Sequence, residues 1–242
     1  MLQKKDYIYS NQLALFGQRE TIGFGDENFH VKEIDRKIAN ELIIKNHYSH
    51  KIYNATYIHL GVFNGGVLEG VLQYGYAMNP ASQASVVKGT KIDEYLELNR
   101  MWLSDNMGKN SESKAISYSI KYIKRKFNGK IKWVQSFADE RCGKFGVVYQ
   151  ACSFDYYGEH NSDFWELDGN VYHNIQMTVL PGTKRYSAEV EYLQKNKDRA
   201  ERMNLRQFRY IFFIDKRVKK NCLLEEKPYP KHYLEGGLYA KI

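Results

Sequence analysis

The sequence predicts an α/β fold: a central mixed, mostly antiparallel sheet flanked by helices, with a basic C-terminal extension. Three observations carry this expectation. Asn64-Gly65-Gly66, between apolar runs at 57–63 and 67–74, is the turn chemistry of a β-hairpin. Ile116, Ile120, Ile123 and Phe127 recur at helical spacing, with lysines opposite. The elements follow as strand, helix, three strands, then helix and strand in alternation, which sets an antiparallel start beside a crossover.

Taken in order, residues 30–34 alternate as a strand. Asp35 is placed to cap a helix whose apolar face is Ile38, Leu42 and Ile43. The two hairpin strands follow. Residues 77–93 are polar and broken by glycine, which predicts a loop. Residues 95–103, YLELNRMWL, read as a strand and 104–111 as a loop. The helix through Ile116 closes at Asn128-Gly129, a pair suited to a left-handed cap. Residues 132–138 form a short apolar strand and 143–152 a further helix. Strands return from Phe154 and over 171–180; residues 187–202 are helical in pattern, and 210–214 are a hydrophobic run. The expected organisation is an N-terminal extension over 1–29, a core over 30–182 and a basic extension over 183–242.

The chain has 242 residues, 43% hydrophobic and 14% aromatic, which is enough apolar mass for a core. With 4 Pro and 26% charged residues, global disorder and collagen-like fibres are excluded. No apolar run reaches the length of a membrane-spanning helix. The first residues lack the apolar stretch of a secretory signal, and three Cys without a C-x-x-C pair fit a reducing compartment, so a cytoplasmic location is expected. No second His pair at ligand spacing joins His47 and His50, and no metal is expected.

The net charge of +8 is uneven. Residues 183–242 carry 15 Lys and Arg against 8 Asp and Glu, whereas the preceding 182 carry 21 against 20. Aromatics interleave with this charge in Gln207-Phe208-Arg209-Tyr210, the footprint of a phosphate-backbone contact. Arg206, Arg209, Lys216, Arg217, Lys219 and Lys220 are the expected nucleic-acid contacts. A solvated basic surface would have the same composition.

Three segments can carry chemistry. His47-Tyr48-Ser49-His50 puts two imidazoles, a phenol and a hydroxyl at a helix end, a set suited to proton transfer or simply to closing the helix. Residues 97–103 followed by 105–113 make a strand–loop–helix unit with Gly108 and small polar residues, whose backbone amides can point at a phosphate. Asp139 falls at the carboxyl end of a strand, where α/β sheets place chemistry, and Tyr149 lies on the helix after it. Asp139 is equally placed to cap that helix.

In this order the segments resemble a known family. The succession of strand, loop, helix, strand and a helix ending Tyr-x-x-x-x-Phe resembles the GNAT acyltransferase core. More narrowly, 47–50, 97–102, 109–111, Ala138-Asp139, 143–146, 149–151, 208–213 and 228–231 resemble the Mom DNA-modification proteins of bacteriophages. The resemblance implies transfer of a carbamoylmethyl (acetamido)-type group to adenine N6 in double-stranded DNA, shielding phage DNA from restriction in the host cytoplasm. It places Asp139 and Tyr149 at the chemistry, with His47, Tyr48 and Ser49 on the base side. Asn99 and Arg100 would shape the pocket or bind the donor. Gly108, Lys109, Asn110, Ser111 and Ser113 would face the phosphates of an activated acyl donor, acyl-CoA-like in chemistry. The chain departs from the GNAT signature in having one glycine over 105–110. A base flipped from the duplex would need an aromatic platform, for which Tyr48, Tyr74, Tyr76 and Trp102 are candidates. The alternatives are a GNAT-like N-acyltransferase acting on a protein, tRNA or small amine, and a binding module without turnover.

Overall fold

The computed structural model describes residues 4–13, 19–143 and 145–230; Lys144 and Lys231 of the motifs above lie outside them. The chain divides into two compact units. The first comprises 1–137, 146–158 and 209–231, and the second 138–145, 159–208 and 232–242.

The first unit starts with three strands, β1 (Asp6–Leu13), β2 (Arg19–Gly25) and β3 (Phe29–Glu33), each antiparallel to the next. The sequence reading missed β1 and β2; in β2, Gly23 and Gly25 lower strand propensity. Gly23 is needed for packing: a Cβ there would meet the Val31 carbonyl at 2.4 Å. Helix α1 (Arg36–Asn46) begins where Asp35 accepts from the Lys37 amide at 2.7 Å. Its buried residues are Ala39 and Ile43, packed with Val71, Leu42 and Trp102. Ile38, expected on this face, is exposed, because the helix turns Ala39 inward in its place.

Strands β4 (Thr56–Asn64), β5 (Val67–Gly75) and β6 (Tyr95–Leu103) extend the antiparallel run as predicted. Residues 80–82 and α2 (Gln83–Val86) form short helical turns where a loop was expected. Helix α3 (Ser111–Lys126) buries Ile116, Ile120 and Ile123. It returns the chain to β7 (Trp133–Asp139), which is parallel to β6. The sheet is therefore mixed and mostly antiparallel, as the sequence predicts. A 3₁₀ turn over Glu140–Cys142 and the short helix α4 (Val147–Ala151) follow.

Strand β8 (Asp155–Leu167) pairs antiparallel with β9 (Asn170–His173) in the second unit. The strand expected over 171–180 stops at His173, whose Nδ1 accepts from the Ile175 amide and starts a 3₁₀ turn. Helix α5 (Ala188–Lys195) packs Leu193 with Leu167 and Tyr172. The helical pattern expected to Arg202 ends early, and β10 (Glu201–Phe213) takes over. In the strand order β10 lies between β7 and β8. After Phe213 the chain runs back along the first unit: the Lys88 amide donates to Asn221, Leu223 to Val86, and Lys227 to Tyr156.

Removing buried methylenes at the α1 face costs both transfer energy and a cavity. Ile43→Ala is expected to lower stability by about 3 kcal/mol, and Ile38→Ala by less than about 0.5 kcal/mol. Urea denaturation of the two variants checks the assignment of the face.

Candidate active site

The parallel ladder between β6 and β7 has three pairs: Tyr95 with Trp133, Leu96 with Val134 and Glu97 with Gln135. Tyr95 and Trp133 stack with ring centroids 4.5 Å apart and seal its first rung. Just past its last rung a side chain bridges the strands, the Ser136 hydroxyl donating to Leu98 O at 3.3 Å. On the other side of β6, Gln73 pairs with Arg100 and Tyr74 with Leu98, so Asn99 is a bulge.

Glu97 thus sits where a ladder ends and a bulge begins. Its Oε2 accepts from Gln135 Nε2 at 2.7 Å, and its Oε1 from Asn99 Nδ2 at 3.0 Å. Burial pushes its carboxyl up to about 7, opposed by these two bonds and by the charges of Arg209 and Arg100. Arg209, expected to contact phosphate, lies over the Phe137 ring at 5.0 Å, and its burial lowers its pKa. The sequence reading missed Glu97 and Gln135 as functional residues. Their signal was a polar position in each of two predicted apolar strands.

The bulge turns Arg100 toward the segment after α1. Its Nε donates to Lys51 O at 3.1 Å, and its guanidinium lies 5.7 Å from the Tyr53 ring. In that segment His47 is buried, and its Nδ1 accepts from the Ser49 amide at 3.1 Å. The Ser49 hydroxyl is 2.8 Å from the same nitrogen. Nδ1 accepts the amide, so the neutral ring carries its proton on Nε2. Tyr48 is exposed, with its ring 4.3 Å from that of His47. Tyr74 is buried, its hydroxyl 2.5 Å from Ser119 Oγ, and Trp102 packs on α1. Fully buried Tyr74 offers no face for stacking, whereas Trp102 is half-buried. Tyr76 lies 5.1 Å from Tyr57.

The start of α3 forms a cleft of about 490 Å³ that brings together Gly108, Lys109, Asn110, Ser111 and Ser113, with Lys114 at its wall. Asn110 precedes the helix in a left-handed conformation and makes no side-chain cap. Of the first-turn amides, that of Ser111 donates to Gly108 O at 3.2 Å, while no Asn110 side chain caps those of Glu112 and Ser113, in the positive field of a 16-residue helix. A Cβ on Gly108 would meet nothing within 4 Å, so the backbone there is open to approach. Asn99 and Arg100 do not line this cleft; they stand at the bulge.

Tyr149 on α4 is buried against Tyr210 and Phe154. At the end of the same helix the Cys152 thiol, pushed up to about 11 by burial, donates to Ser113 O at 3.2 Å. The helix bearing Tyr149 is therefore anchored to the first turn of α3.

Asp139 belongs to the second unit. Its carboxylate caps the 3₁₀ turn through the Arg141 amide and is gripped by the Arg141 guanidinium, with Nη2 to Oδ2 at 2.5 Å. Arg206 is held by Glu140 at 2.7 Å and lies 3.5 Å from Glu159. Arg199 pairs with Asp168 and Arg202 with Asp163. In the first unit Arg217 pairs with Asp215, and Lys219 with Asp155 and Glu226. Lys216 and Lys220 are exposed on the turn after β10. Much of the basic stretch is thus neutralised locally.

The sequence profile of the Mom protein family matches residues 28–231. The chain belongs to the Mom family. Within it, the chain is 46% identical over 232 residues to the methylcarbamoylase Mom of Escherichia phage Mu, covering 95% of each protein. Solved structures similar to this Mom-family chain include the ribosomal-protein-S5-alanine acetyltransferase of Vibrio fischeri. That match has a TM-score of 0.47 at 11% identity, covering 81% of this chain and 98% of the other. Another is the acetyl transferase of Salmonella typhimurium that modifies the N-terminal serine of ribosomal protein L7/L12. It has a TM-score of 0.46 at 10% identity, covering 78% and 97%. Among the described residues no helix is long and apolar enough to cross a membrane.

The raised Glu97 carboxyl has a sign that stability reads. Between its ordinary value of 4.5 and about 7 the folded state holds a proton that the unfolded state has released. The folded state therefore loses stability as pH rises through that window. Glu97→Gln stays neutral throughout. Its stability relative to the parent is expected to rise from pH 4.5 to pH 8, by on the order of 1–3 kcal/mol. Urea denaturation at the two pH values tests this; parallel curves would mean the carboxyl is not perturbed.

Proposed function

We propose that this protein is a DNA-modifying transferase that adds a carbamoylmethyl (acetamido)-type group to adenine N6 in double-stranded DNA, protecting phage DNA from restriction. The observation that carries the reading is the 46% identity, over 95% of both chains, to a phage methylcarbamoylase. The site chemistry supports it. Adenine N6 is a weak nucleophile because its lone pair is delocalised into the ring, so it needs a base held close and a fixed direction of attack. Glu97, pushed up to about 7, is matched to that task near neutral pH.

In the reaction N6 gains one bond to carbon and loses one proton, and the donor's leaving group departs with its electron pair. Glu97 takes the proton. Tyr149, on the helix tied to the donor cleft, protonates the leaving group. The cleft suits an activated acyl donor that carries phosphate, acyl-CoA-like in chemistry. Lys109 and the uncapped amides of α3 would hold its phosphates, and Gly108 admits its close approach. Such a donor would supply the carbons of the transferred group; because the product joins N6 to a CH₂, transfer through an acyl carbonyl forms it only with a further rearrangement. Arg100 fixes the segment bearing His47, Tyr48 and Ser49, where exposed Tyr48 offers a face for an extruded base. Asp139, carried over from the family pattern, acts as a carboxylate held in place by Arg141.

Mass spectrometry of nucleosides from plasmid DNA of expressing cells tests the reading. A new adenosine species is expected with the parent chain, to disappear with Glu97→Gln and with Asp139→Ala. Unchanged DNA nucleosides from a folded protein would overturn the assignment and turn attention to tRNA and protein amines. A fully active Asp139→Ala would leave Asp139 as a helix cap only.

Phosphate contact is assigned to Lys216 and Lys220, whose neighbours Arg217 and Lys219 are ion-paired. Lys216→Ala with Lys220→Ala is expected to reduce the salt slope of DNA binding by about 2, and Lys219→Ala to leave it within about 0.5. Fluorescence anisotropy across a salt series measures both.

A further inference from the structure

The amides around Glu97 are only half used. Gln135 gives its NH₂ to Glu97, and Asn99 gives its NH₂ to Glu97 and to Tyr76 O at 3.1 Å. Their carbonyl oxygens, Gln135 Oε1 and Asn99 Oδ1, are buried and accept no hydrogen bond. Gln135 is 4% exposed. A buried acceptor left without a donor is costly, and native proteins keep few of them. Here two flank one carboxylate at the end of a ladder. Glu97 and Asn99 themselves retain some exposed surface.

Such a cluster presents acceptors only: two amide oxygens and, above about pH 7, a carboxylate. Its chemical complement is a group with two N–H donors and no acceptor at the same atom. We propose that Gln135 and Asn99, with Glu97, form a specificity subsite that binds a primary NH₂ group. This rests on the functional reading above, in which the reaction contains two such groups. One is the exocyclic amine of adenine, and the other is the carboxamide NH₂ of the transferred carbamoylmethyl group. Holding either fixes the angle between N6 and the donor carbon. Gln135 and Asn99 are thus specificity-determining residues, and the proton goes to Glu97.

The test uses Gln135→Met and Asn99→Leu, which keep side-chain volume while removing the amide oxygen. DNA modification is compared in the parent and each variant by nucleoside mass spectrometry, at equal amounts of folded protein. Duplexes containing N6-methyladenine, which has one N–H fewer, serve as competitors. If the subsite holds the adenine amine, the parent prefers adenine to N6-methyladenine by tenfold or more. The variants then lose most of that preference and at least tenfold in rate, with an unchanged product mass. If it holds the carboxamide, the preference persists, and the variants make adenosine species of altered mass because donors lacking the amide are accepted. Variants that keep the parent's preference, product and rate would overturn the proposal while the parent still modifies DNA. A rate loss with the preference and product mass intact would also overturn it, by leaving the amides a structural role only. A parent that modifies no DNA would instead overturn the functional reading.

Discussion

A carboxyl group buried at the end of a short parallel ladder is the constraint on which the first unit depends. Burying Glu97 is unfavourable unless its oxygens are bonded, and Gln135 and Asn99 both supply donors. The bulge at Asn99 makes this possible. It places one amide on the carboxylate and turns the next residue, Arg100, to the segment after α1. One irregularity in β6 therefore sets the position of the Glu97 carboxyl, the segment after α1 and the unsatisfied oxygens together. The stacked Tyr95 and Trp133 hold the ladder from below, within a cluster that includes Val87, Ile211 and Phe213.

The parts of this fold that were legible in the sequence are those fixed by local physics. Asn64-Gly65-Gly66 specifies its hairpin, Asp35 caps its helix, and the isoleucine spacing specifies α3. The cleft at the start of α3 was legible for the same reason, since a glycine and small polar residues precede that helix. Glu97 was not. Within YLELNRMWL it reads as an ordinary polar position of a half-buried strand, and only its pairing with Gln135 across the crossover makes it special. Strand β2 was hidden because its glycines serve close approach between strands, a benefit that propensity counts as a defect. Asp139 stood out as a carboxylate at a strand end, but the structure shows how fully Arg141 engages it.

Charge teaches a related lesson. Counted along the chain, the excess lies in the last quarter. In space, Arg199, Arg202 and Arg206 are met by carboxylates of β8 and its neighbours, and Arg217 and Lys219 by acids close at hand. Exposed pairs of this kind add little stability. What they change is the field, which is set by cations without such partners and not by the raw count.

Sheet order and synthesis order disagree in this protein. Among the described residues strand β10 is the last to be made, yet it lies between β7 and β8, both of which leave the ribosome before it. Until it arrives, those two strands present open edges, the surfaces most prone to pair with another chain. Arg209, whose charge bears on Glu97, comes with the same strand. The Arg209 charge that opposes the effect of burial on Glu97 is therefore supplied late in synthesis, and a nascent chain stopped short of β10 lacks both that strand and that charge.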